Sequence, residues 1–169
     1  MHLKPEIPQK KTLKQQYERV KELATEEYKY VFWIIDFDEI LKQTNEAKSG
    51  AKTALARLIE YKEKLEKKKS VFVIINSPCL EFWIYLHFVN TTKQYRNCQE
   101  ALRDLKKELP DYEKSEKYYC SSHNDIYQRL KDKLNFAIRN AELSGGFDKD
   151  SPYKGISEMN VFFEKIGIG

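Results

Sequence analysis

Asp36 and Asp38 lie two residues apart at the end of an apolar run, Val31-Phe32-Trp33-Ile34-Ile35, and carboxylates at that spacing suit a hard divalent cation. Mg²⁺, or Mn²⁺ in its place, is typically held by one or two carboxylates together with waters and substrate phosphates. In a regular strand, positions two apart project to one side, so both carboxylates can reach one ion. The plainer alternative is that these acids end the strand or cap the next helix. A second, denser block runs from Asn76, Ser77 and Pro78 through Glu81 to His87. Asn76 and Ser77 can orient a phosphate or cap a helix. Glu81 falls in the first turn of a strongly apolar helix, where the dipole stabilises a carboxylate; a metal-supporting or water-activating role competes with that local one. His87 shares a helix face with Trp83 and Ile84, and reads either as a hydrogen-bonded core residue or as a catalytic group.

The elements that must position these residues follow from periodicity. Thr12 can cap a helix whose apolar positions Leu13, Tyr17, Val20 and Leu23 recur at three- and four-residue spacing. Val31–Ile35 and Val71–Ile75 are continuous apolar runs too short for helices, as in strands covered on both faces. Between them the pattern predicts one long helix from about Thr44 to Lys68. Strand, helix and strand of this kind make a βαβ unit with parallel strands and a right-handed crossover. That arrangement collects Asp36, Asp38, Asn76 and Ser77 at the carboxyl edge of the sheet, where open α/β folds keep their ligand sites. Leu3–Ile7 is a candidate for a further short strand, interrupted by Pro5. Helices are expected over Leu80–Phe88, Tyr95–Leu109, Asp125–Leu143 and, capped by Ser157, Glu158–Ile166. The expected organisation is a single domain over 1–169, with an α/β core over 1–90 and a helical part over 91–169. So thin a sheet leaves an edge to cover, which predicts a homodimer or a partner subunit.

Composition narrows the function classes. The chain has 169 residues, 33% of them charged, and a formal net charge of +4. Its 9 Phe, 11 Tyr and 2 Trp supply a core that highly charged disordered chains lack. A chain this long needs no metal or disulfide staple to fold. The longest apolar runs are five residues, far short of the roughly 20 that span a bilayer, so no membrane association is expected. No secretory signal is visible, and the three cysteines (Cys79, Cys98, Cys120) show no CxxC pairing, as suits a reducing cytoplasm and no zinc knuckle. From Lys42 to Lys69, nine basic residues stand against four acidic ones. Such a stretch can bind polyphosphate, or can be a solvated helix face laced with Glu–Lys pairs.

Three segments together resemble the RloB-like family: Ile34-Ile35-Asp36-Phe37-Asp38, the run from Asn76 through His87-Phe88, and Leu109-Pro110-Asp111-Tyr112-Glu113-Lys114. Ser151-Pro152 before the last helix is similar to the family's closing segment. The family is found with bacterial restriction loci and includes AbiL-type abortive-infection proteins. The resemblance implies a Toprim-like α/β core, here truncated, and a Mg²⁺-dependent nuclease-like activity on RNA or DNA in phage defence. It implies Asp36 and Asp38 as metal ligands, and Asn76, Ser77 and Tyr112 as phosphate or substrate contacts. Glu81, His87 and Lys114 become the catalytic candidates. The GxTE-type segment with which the family usually opens has no counterpart here, and Glu39 and Glu81 are the candidates for a replacement carboxylate. The competing expectation is a catalytically incomplete binding or regulatory subunit.

Overall fold

The computed structural model describes residues 4, 6, 11–26 and 28–168. The candidate strand at Leu3–Ile7 lies mostly outside these residues, and Lys4 and Glu6 are not in a strand. Residues 1–35 and 39–74 form one compact unit, and residues 36–38 and 75–169 a second.

In the first unit, helix α1 (Leu13–Leu23) starts at a full capping box: the Thr12 side chain accepts from Gln15 N, and the Gln15 side chain accepts from Thr12 N. Its Tyr17 ring stacks on Tyr61 at 3.9 Å between centroids. Strand β1 (Val31–Asp36) buries Val31, Trp33 and Ile35, while Ile34 remains 44% exposed. The expected cover on both faces is therefore absent from β1, which alternates like a one-sided strand. The crossover carries two helices rather than one, α2 (Phe37–Asn45) and α3 (Ala54–Leu65). The chain turns between them at Gly50, whose φ of +80° an L side chain rarely adopts, and α3 restarts under a Thr53 cap. Acidic partners of the basic stretch lie on or beside α3: Lys62 pairs with Glu66 at 2.6 Å, and both Lys52 and Lys64 pair with Glu60. Lys62 Nζ also donates to Val73 O.

Strand β2 (Val71–Ser77) begins in the first unit and ends in the second, and it is buried continuously from Val73. With a two-residue strand β3 (Ile156–Ser157) it completes a three-stranded sheet in the order β1-β2-β3, β1 and β2 being parallel and β3 antiparallel to β2. Sequence periodicity cannot detect a strand as short as β3. Its approach requires Gly155, where a Cβ would meet Lys93 O at 2.3 Å. Glu158 then fastens the strand pair, its carboxylate accepting from Ile75 N at 2.9 Å and Phe147 N at 3.0 Å.

The rest of the second unit is helical. Helix α4 (Leu80–Tyr85) is buried at Glu81, Phe82, Trp83 and Ile84. Helix α5 (Cys98–Glu108) is capped by Asn97 and packs against α4. A short helix α6 (Glu116–Tyr119) follows under a Ser115 cap. The helix expected over Asp125–Leu143 is broken into α7 (Ile126–Leu130), a 3₁₀ turn (Lys131–Lys133) and α8 (Leu134–Ser144). Helix α9 (Met159–Ile166) ends the chain, with Gly167 left-handed at its close.

Candidate functional site

The candidate site lies wholly within the second unit. Asp36 is the last residue of β1 and Asp38 already belongs to the first turn of α2, so the pair straddles a strand–helix junction. The two-residue alternation of a strand therefore does not govern their directions. Their neighbourhood is set by the backbone around Pro78: Asp38 N donates to Pro78 O at 2.8 Å, and Asp36 Oδ1 accepts from Leu80 N at 2.9 Å. Asp38 Oδ2 accepts from Cys98 N at 3.3 Å. The aspartate pair and the Asn-Ser-Pro turn thus face each other.

Glu81 sits one turn further on and is fully buried. Its Oε1 accepts from Tyr112 Oη at 3.0 Å and pairs with Lys114 Nζ at 2.9 Å. Tyr112 is itself buried and shares a short hydrogen bond with the Tyr119 hydroxyl. The Tyr-x-Lys segment holds its place because Arg129 grips its neighbours. Arg129 pairs with Asp111, and its guanidinium lies 4.5 Å from the centre of the Tyr118 ring.

These charges act on one another. Burial is the largest influence on Asp36; the Lys114 cation and the Leu80 N–H pull its carboxyl down, Glu81 and Asp38 push it up, and it settles at about 6. Burial opposes the charge on Lys114, but the Glu81 and Asp36 carboxylates outweigh it and hold the ammonium above its ordinary value. Tyr112 is raised by burial, by the Tyr119 bond and by Glu81, so its hydroxyl remains a proton donor. Glu81 and Asp38 both disfavour the charged form of Asp36, and a divalent cation among hard oxygen donors would relieve that repulsion. On this chemistry Asp36 and Asp38 fit Mg²⁺ or Mn²⁺.

Other anticipated residues lie elsewhere. Asn76 is fully buried; its Oδ1 accepts from Ser157 Oγ at 2.6 Å, while Nδ2 has no hydrogen-bond partner among the described residues. Ser77 ends β2 and is buried, and neither residue caps α4, whose N-cap position is Cys79. His87 is not joined to Glu81: its Nδ1 lies 3.1 Å from Trp83 O and its ring stands edge-on to Trp83. Burial lowers its imidazole to about 4. It lines an apolar cavity of about 260 Å³ with Trp83, Tyr119, Leu134, Met159 and Phe163. Glu39 is exposed and accepts from Gln43 Nε2.

Three residues of the site gave no sequence signal. Tyr119 sits in a four-residue helix with no periodic pattern around it. Cys79 and Cys98 are bridged by a disulfide, in contrast to the expected free thiols. Their separation of 19 residues matches no known spacing rule, and only the packing of α4 on α5 brings their Cα atoms to 5.6 Å. Cys120 is free and exposed.

Fold and site together define a small mixed α/β protein with one buried and two half-buried carboxylates gathered at the carboxyl ends of two parallel strands. The family model described as RloB-like protein matches residues 3–164, and the chain belongs to that family. No curated protein and no solved structure matches it. Among the described residues no helix is long and apolar enough to cross a membrane.

Proposed function

We propose that this protein is a Mg²⁺- or Mn²⁺-dependent, nuclease-like phosphodiester hydrolase acting on RNA or DNA in the cytoplasm, as part of bacterial phage defence. The observation that carries the reading is the convergence of Asp36, Asp38, Glu81 and Lys114 around the turn at Pro78. In this reading Asp36 and Asp38 hold the ion. When bound, the cation would neutralise phosphate charge and lower the pKa of a water. Lys114, 60% exposed at its side chain, reaches from Glu81 toward solvent and compensates charge on an incoming phosphate. Glu81, fixed by Tyr112, sets the position of that ammonium. Asn76 Nδ2 is a buried donor suited to an anionic oxygen. His87, held neutral at physiological pH by burial, contributes as a packing residue rather than as an acid.

The test is cleavage of mixed RNA and DNA substrates by purified protein in Mg²⁺ or Mn²⁺, beside an Asp36→Asn/Asp38→Asn variant. Metal-dependent cleavage by the parent alone is the expected result. Equal cleavage by both proteins, or none by either, rejects the proposal.

A second reading, a non-catalytic binding or regulatory subunit, is favoured by one observation: one oxygen of each aspartate already accepts a backbone N–H. Calorimetry separates the two readings, because Mg²⁺ heat that depends on Asp36 and Asp38 requires an assembled ion site. A homodimer or partner subunit on the open edge of the sheet belongs to either reading. Light scattering that gives a monomer at all concentrations rejects the homodimer.

A further inference from the structure

The carboxylate of Glu81 has two differently furnished oxygens. Oε1 receives the Tyr112 hydroxyl and the Lys114 ammonium, whereas Oε2 points at Cys98 Sγ, 3.1 Å away. A thiol at that distance donates its proton to Oε2. A sulfur in the Cys79–Cys98 bridge carries no proton, so the bridged form sets a sulfur lone pair against an oxygen of a fully buried carboxylate that receives no hydrogen bond from the described residues. The cysteine sulfurs and the carboxylate oxygen all lie within 4.8 Å of one another, a three-donor group with two soft atoms and one hard one. Neither Asp36 nor Asp38 belongs to that group.

We infer that, with the bridge reduced, Cys79 Sγ, Cys98 Sγ and Glu81 Oε2 form a binding site for a thiophilic divalent cation of the zinc class. Two thiolates and one carboxylate are the ligand types that select such an ion over Mg²⁺, and three protein ligands leave a fourth position open. Charge closes as well: the three anionic ligands are neutralised by the divalent ion and by Lys114, already seated on Oε1. Tyr112 and Lys114 act on the far oxygen and fix the carboxylate's orientation, as outer partners of metal ligands do. Disulfide and metal exclude each other. Opening the bridge with a phosphine takes two electrons and two protons and yields two thiols, the phosphine leaving as its oxide with oxygen from water. Metal entry then releases the thiol protons to solvent. The inference does not rest on the nuclease reading.

The test uses the full chain, reduced under inert gas with a phosphine, freed of it, and titrated with Co²⁺ as an optical probe for zinc. The expected result is one Co²⁺ per chain with a sulfur-to-cobalt charge-transfer band, displaced stoichiometrically by Zn²⁺. The band persists in Cys120→Ser and in Asp36→Asn. It disappears in Cys79→Ser, in Cys98→Ser and in unreduced protein, and Glu81→Gln keeps it with affinity weakened roughly tenfold or more. Zinc-edge X-ray absorption on the unmodified reduced protein avoids any variant that fails to fold, and should show two sulfur neighbours at about 2.3 Å. No sulfur band and no sulfur neighbour in the reduced protein, or a band that survives both cysteine substitutions, overturns the inference.

Discussion

Two aspartates of the second unit, the half-buried Asp36 and the buried Asp104, show how a carboxylate responds when its surroundings differ. Asp104 is saturated: Oδ1 pairs with Lys107 at 2.6 Å, and Oδ2 takes Lys93 at 2.6 Å and the Tyr95 hydroxyl at 2.9 Å. Those bonds, from Lys107 first and then Lys93, hold its carboxyl well below the usual range. Asp36 has one backbone donor and, among the described residues, no side-chain bond of that kind; burial outweighs the pull of the Lys114 cation and, with Glu81 and Asp38 adding to it, pushes the carboxyl the other way, to about 6. The first carboxylate is an anchor between α5 and the strap before it. The second is held at a cost that stability alone does not explain, which is a mark of sites kept for binding or chemistry.

The sharpest way to break this comparison is the same substitution at both positions. Asp36→Asn should reduce metal-dependent cleavage on the order of 100-fold or more, because charge stabilisation by a metal is worth several kcal/mol. Without added metal it should also raise stability at pH 7 by up to about 2 kcal/mol. The sign follows from a folded pKa raised above the ordinary 3.8: the penalty is absent below 3.8 and develops as pH rises through about 6. Turnover assays and urea melts of one preparation measure both effects. An Asp36→Asn protein that is active and less stable ends the distinction.

His87 extends the comparison to a base. Its folded value of about 4 lies below the ordinary 6.5, so the unfolded chain binds more protons between the two. The His87 contribution to stability should be flat above pH 6.5 and fall by about 3 kcal/mol on acidification to pH 4. The difference between parent and His87→Phe in urea melts across the range should show that slope.

Asp104→Asn should leave cleavage intact and cost about 2 kcal/mol, the scale of hydrogen bonds to charged groups. Because the folded Asp104 value is depressed, its contribution is present above pH 3.8 and disappears as pH falls through the folded value. Parent and variant melts should therefore converge in acid. The smallest effect belongs to Tyr119→Phe, which removes one hydroxyl from Tyr112 but leaves the Tyr112–Glu81 bond. A loss of about 1 kcal/mol or less is expected in the same melts.

Much of this was legible along the chain. Val31–Ile35 and Val71–Ile75 announced strands through unbroken β-branched and aromatic runs, and Thr12 announced a helix through its capping pattern. The same periodicity misplaced helix boundaries. Apolar spacing survives a break, so it could not see the turn at Gly50 or the 3₁₀ step at Lys131–Lys133. It was also silent on β3, whose two residues are a strand only because β2 offers them partners.

Residue types alone established that carboxylates close the first strand, that a glutamate enters an intensely apolar helix, and that a Tyr-x-Lys segment follows Pro110. Hydrophobic patterning is local, and a few neighbouring residues suffice to express it. Which atoms meet is decided by segments dozens of residues apart. The contact of Lys114 with Glu81, the hold of Leu80 N–H on Asp36 and the meeting of Cys79 with Cys98 all arise only when helices pack. Burial and opposing charge then set the ionisation of each group, and both belong to three-dimensional surroundings that no stretch of sequence contains.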